Sequence, residues 1–430
     1  MNLWPKNRHA TTVAAVAAGL AVALGAAACG SSGSGTSTTS SGTPASAKQT
    51  IVFASAGLGT EGTATKAAIA GFEKAHPNIT VNLLPLSSSS TSAQQQEQNY
   101  FVAGSATPDV VYTDVTWPAA DVKAGWLANL SSFSPNTSAF FPGQMSTGEI
   151  NGGIYAIPWF INAEGIYYRT DLIKSPPTSA SQLVSDAQSA MQSDPSLKEG
   201  LAFEGDTYEG AVTAFQSFGG QISLSDLKKG IDTPANVTAL TFMYNAIHTN
   251  KISPTAVTGW QEPQVQSAWL SGQTPFALNW PYIYQLSEAS GSPVANKTGW
   301  MPFPSSTPQT SLGGDDLAIN AKSTHKAAAW EFIQYLTSDS VQDARAISAG
   351  DPPSVKSAYN STLYAAAPYY KQEQAVYNAV VSRPVASNYA QISTQLQNMI
   401  ASVLSGSATP SAALATAAPT VKALADGASG

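Results

Sequence analysis

Between residues 51 and 112 the apolar period of the chain switches repeatedly between two and about 3.6, and this alternation limits the fold more than any other feature. Ile51-Val52-Phe53-Ala54 reads as a buried strand, and a Gly-rich turn leads from it into a helix with Ala67, Ala68, Phe72 and Ala75 on one face, ended by His76-Pro77. Ile79 to Leu84 reads as a second strand, a polar helix runs through Gln94 to Val102, and Asp109 to Tyr112 is a third strand. Strand, helix, strand, helix, strand implies a parallel sheet covered by helices. A second α/β unit follows: 153–159 and 165–168 are extended, Asp171-Leu172 opens a helical stretch, and Thr233-Pro234 has the form of an N-cap and first helical residue before Val237, Leu240, Tyr244 and Ile247. Pro263 starts a helix with Val265, Ala268 and Trp269 inward, and Pro275 to Asn279 is a strand. Ala329, Phe332, Ile333 and Leu336, and later Ile392, Leu396, Met399, Ile400 and Val403, have the spacing of core stripes. Some 380 residues of this kind exceed one ordinary core and suggest two domains.

The α/β body is preceded by a different kind of chain. Lys6 and Arg8 stand before an uncharged Ala/Val/Leu/Gly run that ends at Ala28, followed at once by Cys29, the sole cysteine of the sequence. The run is too short and too Ala-rich for a good membrane span and reads as a secretory signal over 1–28. Ala26-Ala27-Ala28-Cys29 resembles the lipobox of bacterial lipoproteins, although Ala26 stands where Leu is commoner; it implies that Cys29 becomes the acylated first residue. Residues 29–48 are Ser, Thr, Gly, Ala and Pro with little else, too poor in apolar surface to fold, and read as a tether. Losing Lys6 and Arg8 with the signal takes the net charge from −7 to −9. An acidic chain without basic runs is a poor partner for nucleic acid or for an anionic bilayer surface. Charged residues are 11% of the chain, while 9 Trp and 16 Tyr are present, so polar recognition falls to amides, hydroxyls and aromatic rings.

Several chemistries can be tested against the motifs. Gly57-Leu58-Gly59-Thr60-Glu61-Gly62 fits G-x-G-x-x-G after a strand, but Leu83-Leu84-Pro85-Leu86-Ser87 offers no acidic residue for a ribose, so the glycines read as a loop that lets backbone approach a ligand. His9, His76, His248 and His325 lack metal-ligand spacing, and no cofactor or metal is expected. Phosphate-loop and G-x-S-x-G signatures are absent from the sequence. Asp315-Asp316 with Glu262 could supply a carboxylate pair for glycoside hydrolysis, or hydrogen-bond sugar hydroxyls without chemistry.

The order of motifs along the chain carries a resemblance. Phe72-Glu73-Lys74-Ala75-His76-Pro77-Asn78-Ile79, Asp114-Val115-Thr116-Trp117 and Ala124-Gly125-Trp126-Leu127 look like the first lobe of a family 1 extracellular sugar-binding protein. Asn279-Trp280-Pro281-Tyr282-Ile283-Tyr284 is similar to the trehalose and maltose binding branch of that family. Tyr155-Ala156-Ile157-Pro158-Trp159, Tyr167-Tyr168-Arg169-Thr170-Asp171-Leu172, Leu312-Gly313-Gly314 and Arg383-Pro384-Val385 continue the pattern, so that it spans most of residues 50–420. The resemblance implies an α/β, two-lobed periplasmic-binding-protein-like fold with the ligand cleft at the hinge, and delivery of a sugar to a membrane ABC permease. Lobe 1 is expected over 49–160 and 316–352, lobe 2 over 161–315 and 353–430.

Carried over by position, Trp280 and Tyr282 resemble stacking residues, Gly313 and Gly314 close-approach backbone, Arg383 a polar clamp, and Asp114 and Glu61 loop contacts of the first lobe, with Asn162 where relatives often have Asp. Trp117 and Trp159 are candidates for the same cleft, although for Trp159 ordinary core packing is as good a reading, and Glu262 is either a ligand contact or a helix cap. Asp315 stands where trehalose and maltose binders commonly have Trp, so an extra hydroxyl or an amino group on the ligand becomes possible. The expectation is a monomeric, lipid-anchored binding protein that captures a disaccharide such as trehalose or another α-glucoside and is not an enzyme; an exported glycoside hydrolase and a protein-binding lipoprotein scaffold are the alternatives.

Overall fold

β1 (Gln49–Ser55) is buried at Ile51 and continuously from Phe53 to Ser55, as an interior strand covered on both faces is. The computed structural model describes residues 48–56, 59–87, 90–305 and 309–428; the expected signal, Cys29 and all of the tether except Lys48 lie outside these residues, as do Gly57 and Leu58. β1 pairs in parallel with β2 (Ile79–Pro85) on one side and β3 (Val110–Asp114) on the other. Strands β4 (Glu149–Ile150) and β5 (Gly153–Ile154) form a short hairpin whose turn residues, Asn151 and Gly152, both have positive φ (51° and 77°), as a type I′ turn requires. β6 (Ala156–Ala163) ends where the chain first leaves this lobe, and β7 (Gly165–Arg169), β8 (Phe276–Asn279) and β9 (Thr298–Met301) make a second, antiparallel sheet in the order β8-β7-β9. The chain then returns as β10 (Leu312–Ile319), which enters the first sheet between β3 and β6, antiparallel to both. The parallel sheet expected from the sequence is therefore mixed, because β10 enters it only after the chain has built the second sheet.

The core of the first lobe lies under the helices Gly59–Ala75 and Lys326–Leu336, where Phe332 meets Phe53 and Phe72 edge-on at 5.3 and 5.0 Å. On the first of these helices the buried stripe is Ala64, Ile69 and Phe72, with Ala67 and Ala75 exposed; an alanine is too small to report which way a helix faces. The second core packs Ile166, Phe276 and Leu278 under helices that include Ala180–Ser193, Pro234–His248 and Tyr389–Leu404. Thr233 caps the second of these, its hydroxyl accepting from the Asn236 N–H at 3.3 Å. Residues 170–179 form turns instead of the helix expected from Asp171: the Arg169 guanidinium binds both Asp171 oxygens at 2.6 and 2.7 Å, Pro176-Pro177 follows, and the helix waits for its cap, Ser179. Further on, Tyr359, Leu363, Tyr370 and Tyr377 cluster with Val115, Phe141, Ile161 and Leu312.

Candidate functional site

The strands of the first sheet end at a cavity of about 220 Å³ that both lobes line. From the first lobe come Glu61 in the opening turn of the helix after β1, Asp114 at the end of β3, Phe160 and Asn162 on β6, and Gly313, Gly314 and Asp315 on β10. A crevice beyond the carboxyl ends of parallel strands is the usual ligand position in such sheets. The register explains the shared face, since Phe160 opposes Asp315 and Asn162 opposes Gly313. Gly314 has φ +101°, and a Cβ there would overlap the Phe160 carbonyl, so only glycine serves. From the second lobe come Glu204, Tyr208, Glu209, Gly210 and Thr213, then Glu262, Trp280, Tyr282 and Arg383.

Two contacts tie the walls together. The Trp280 ring lies against Gly313, where a Cβ would stand 2.7 Å from Cζ3, so the missing side chain is the seat of the indole. Arg383, with 4% of its side chain exposed, donates to Glu209 Oε1 at 2.7 Å and reaches Asp114 at 3.4 Å. Asp114 also accepts from the Thr116 N–H and hydroxyl at 2.9 and 2.7 Å, and Glu209 from Ser393 Oγ at 2.5 Å and from the Tyr389 hydroxyl. Across the cleft the Ser90 and Tyr208 hydroxyls are 2.9 Å apart. Two atoms of the lining residues, Asn162 Oδ1 and Arg383 Nε, are buried without a hydrogen-bond partner.

The electrostatics of the lining are strongly acidic. Burial holds the Asp315 carboxyl well above the usual range, reinforced by Asp114 and Glu61. Burial does the same to Glu204, and Glu262 adds to it; the Glu262 carboxyl is itself raised by burial. Just behind the wall, Glu164 is pushed up to about 8 by burial despite donors from Ser217 at 2.6 Å and Thr213 at 3.3 Å.

Two of the residues expected in the cleft stand elsewhere. Trp117 is buried in the first core, edge-on to Tyr112 at 5.6 Å. Trp159 packs on Phe53 with the Arg345 guanidinium 4.1 Å over its ring and does not line the cavity; the Phe160 ring, 5.4 Å away and under the same guanidinium at 4.8 Å, does, and the register shift opposite Asp315 and Asp316 lets the two rings sit together. Asp315 lines the cavity, whereas Asp316 is fully buried and its carboxylate is bound by Thr147 at 2.8 Å and Gln144 at 3.0 Å, so the two do not present a pair to a glycosidic bond. Glu262 is the first helical residue and the N-cap is Gln261, which leaves the Glu262 side chain to the cavity. Sequence reasoning did not find Ser90, Phe160, Glu204, Tyr208, Glu209, Gly210 or Thr213. Phe160 lies beside a register shift, where alternation gives no direction; the others sit in the first turns of helices or in a loop.

Comparison with known proteins settles the class. Residues 56–343 match the family model of the bacterial extracellular solute-binding proteins. The chain belongs to that family. A probable ABC transporter-binding protein of Deinococcus radiodurans is 31% identical over 360 residues, covering 78% of this chain and 84% of the relative. Among solved structures, the maltose-bound MalE3 of T. maritima is 31% identical with a TM-score of 0.79, covering 87% of this chain and 99% of that one. The GacH receptor of Streptomyces glaucescens, with a TM-score of 0.79 at 24% identity, shares the fold. Members of the family bind solutes for ABC transporters and are not enzymes, and the two-lobed sugar-binding-protein fold is that of this chain. Among the described residues, no helix is long and apolar enough to cross a membrane.

Proposed function

We propose that the protein captures a sugar, with a disaccharide such as trehalose or another α-glucoside as its substrate, and hands it to the permease of an ABC importer. The observation that carries this reading is the pairing of aromatic residues, Trp280 and Tyr282, with polar side chains, among them Asn162, Asp114 and Arg383, around one cavity. A pyranose has apolar C–H faces for the rings and a rim of hydroxyls for the amide, carboxylates and guanidinium. The maltose carried by the MalE3 structure, in a protein 31% identical over nearly its whole length, supports the same chemistry. Glu61, Asp114, Glu262, Gly313, Gly314 and Asp315 complete the proposed contact set.

Both lobes line the cavity, so ligand touches all of its partners only in the closed state and shifts the equilibrium toward it. Cys29, lipidated, holds the otherwise monomeric protein at the outer face of the cell membrane. A thermal-shift panel of trehalose, maltose, sucrose and cellobiose tests the reading: a saturating sugar at a hundred times its Kd adds about 2.7 kcal/mol. No stabilisation by any of them at millimolar concentration would refute it.

A further inference from the structure

The cavity holds more negative charge than a neutral sugar requires. Glu61, Asp114, Glu204, Glu209, Glu262 and Asp315 face a single basic side chain, Arg383, among the described lining residues. Arg383 is already engaged by Glu209 and Asp114. The second-lobe wall therefore keeps two further carboxylates, Glu204 and Glu262, with no cation lining the cavity beside them except that one. They line one wall together with Tyr282, near enough that the charge of Glu262 raises the Glu204 carboxyl, and the Tyr282 hydroxyl reaches Gln266 Oε1 at 3.4 Å. Glu204 is 3% exposed, and its carboxylate lies where a side chain on Gly210 would stand, so the glycine makes room for it. Tyr208 lines the cavity on the same wall.

A hydroxyl is an incomplete answer to such a pair. It donates one hydrogen and brings no charge, and two like charges in a site of low dielectric remain opposed. Without a cation between them the two relieve the conflict by holding a proton, since burial raises both carboxyls. An ammonium group does more: it has three donors, forms charge-assisted bonds to both carboxylates, and is favoured by the aromatic face of a tyrosine. We infer that the ligand is a sugar bearing a protonated amino group, seated between Glu204 and Glu262 with Tyr282 beside it. This specificity rests on the sugar reading above and narrows it, and it uses a carboxylate pair distinct from the Arg383 clamp.

The experiment titrates trehalose and maltose into the purified mature protein by calorimetry, beside their mono-aminodeoxy forms with nitrogen at each ring position in turn. At least one amino form is expected to bind about 10- to 100-fold more tightly than its parent, the range that a charge-assisted bond gives over a neutral one. Glu204→Gln and Glu262→Gln, each first checked for a native melting transition, are both expected to bring that ratio to within threefold of unity. Because either variant alone reports the ratio, misfolding of one leaves the other. Neutral sugars binding as well as every amino form would overturn the amine specificity while leaving sugar capture standing. An amino preference that survives both variants would overturn its assignment to this pair, and binding of neither class would sink sugar capture and the amine together.

Discussion

Replacing Gly313 by alanine adds a single methyl group, and the structure says where it goes. The Cβ would lie 2.7 Å from Trp280 Cζ3 and 2.9 Å from Cη2, whereas carbon atoms settle at about 3.5–4.0 Å. The ring must therefore move by roughly 1 Å, because the strand that carries residue 313 is held on the Asn162 side by β6. The backbone itself accepts alanine, since Gly313, unlike Gly314, is not among the glycines with positive φ. Overpacking of this kind costs about 1–3 kcal/mol, which is about 5- to 150-fold in affinity if the displaced indole is the platform for the ligand. Calorimetric titration of Gly313→Ala, Trp280→Ala and the double variant, each with its unfolding midpoint, isolates the contact. With the indole gone, the extra methyl should cost less than about 0.5 kcal/mol. A loss that is the same with or without the Trp280 ring, or wild-type affinity for Gly313→Ala, would refute the seat of the indole as the cause.

Arg383→Met removes the buried guanidinium between Asp114 and Glu209; because those carboxylates keep donors from Thr116 and Ser393, the loss of stability should fall near the low end of the usual range, about 3 kcal/mol. An unchanged denaturant midpoint would show that the clamp contributes nothing. Stability should also fall as pH rises: Asp121, Glu164 and Glu373 are pushed up to about 8 and Asp316 to about 7, all mainly by burial. The folded state then holds more protons than the unfolded one between about pH 4 and 8, the stabilisation is complete below the unfolded values, and it is lost through that window. Scanning calorimetry should give a melting temperature a few degrees higher at pH 5 than at pH 8, and an equal or lower value at pH 5 would contradict the burial of these carboxyls. Finally, Cys29→Ser should release the protein from the membrane fraction, and normal retention would rule out the lipid anchor.

What could be read from the sequence follows a physical line. Stripes of large apolar residues, such as Phe332, Ile333 and Leu336, announce a buried helix face because each side chain has one favourable direction. Proline and cap residues mark boundaries for the same local reason, as at Thr233-Pro234 and His76-Pro77. Direction across a strand was less legible: Trp159 and Phe160 are both large and apolar, and the register shift in the pairing with β10 between Asp315 and Asp316 suspends strand alternation there, so that Phe160 lines the cavity while Trp159, its ring only 5.4 Å away, does not. Glu204 and Glu209 were invisible because acidic residues in loops and at helix starts are commonplace; what distinguishes Glu204 is its burial, and what distinguishes Glu209 is its bond to Arg383.

The late arrival of β10 also bears on how such a chain is made. Its central position between β3 and β6 pairs Asp315 with Asp114, roughly 200 residues earlier. The first lobe therefore cannot complete its sheet until almost three quarters of the chain has been synthesised, and the search for that pairing is slow, since long loops must close before any contact rewards them. A fragment that ends before Leu312 therefore lacks the strand that joins β3 to β6 and cannot close the first sheet by itself.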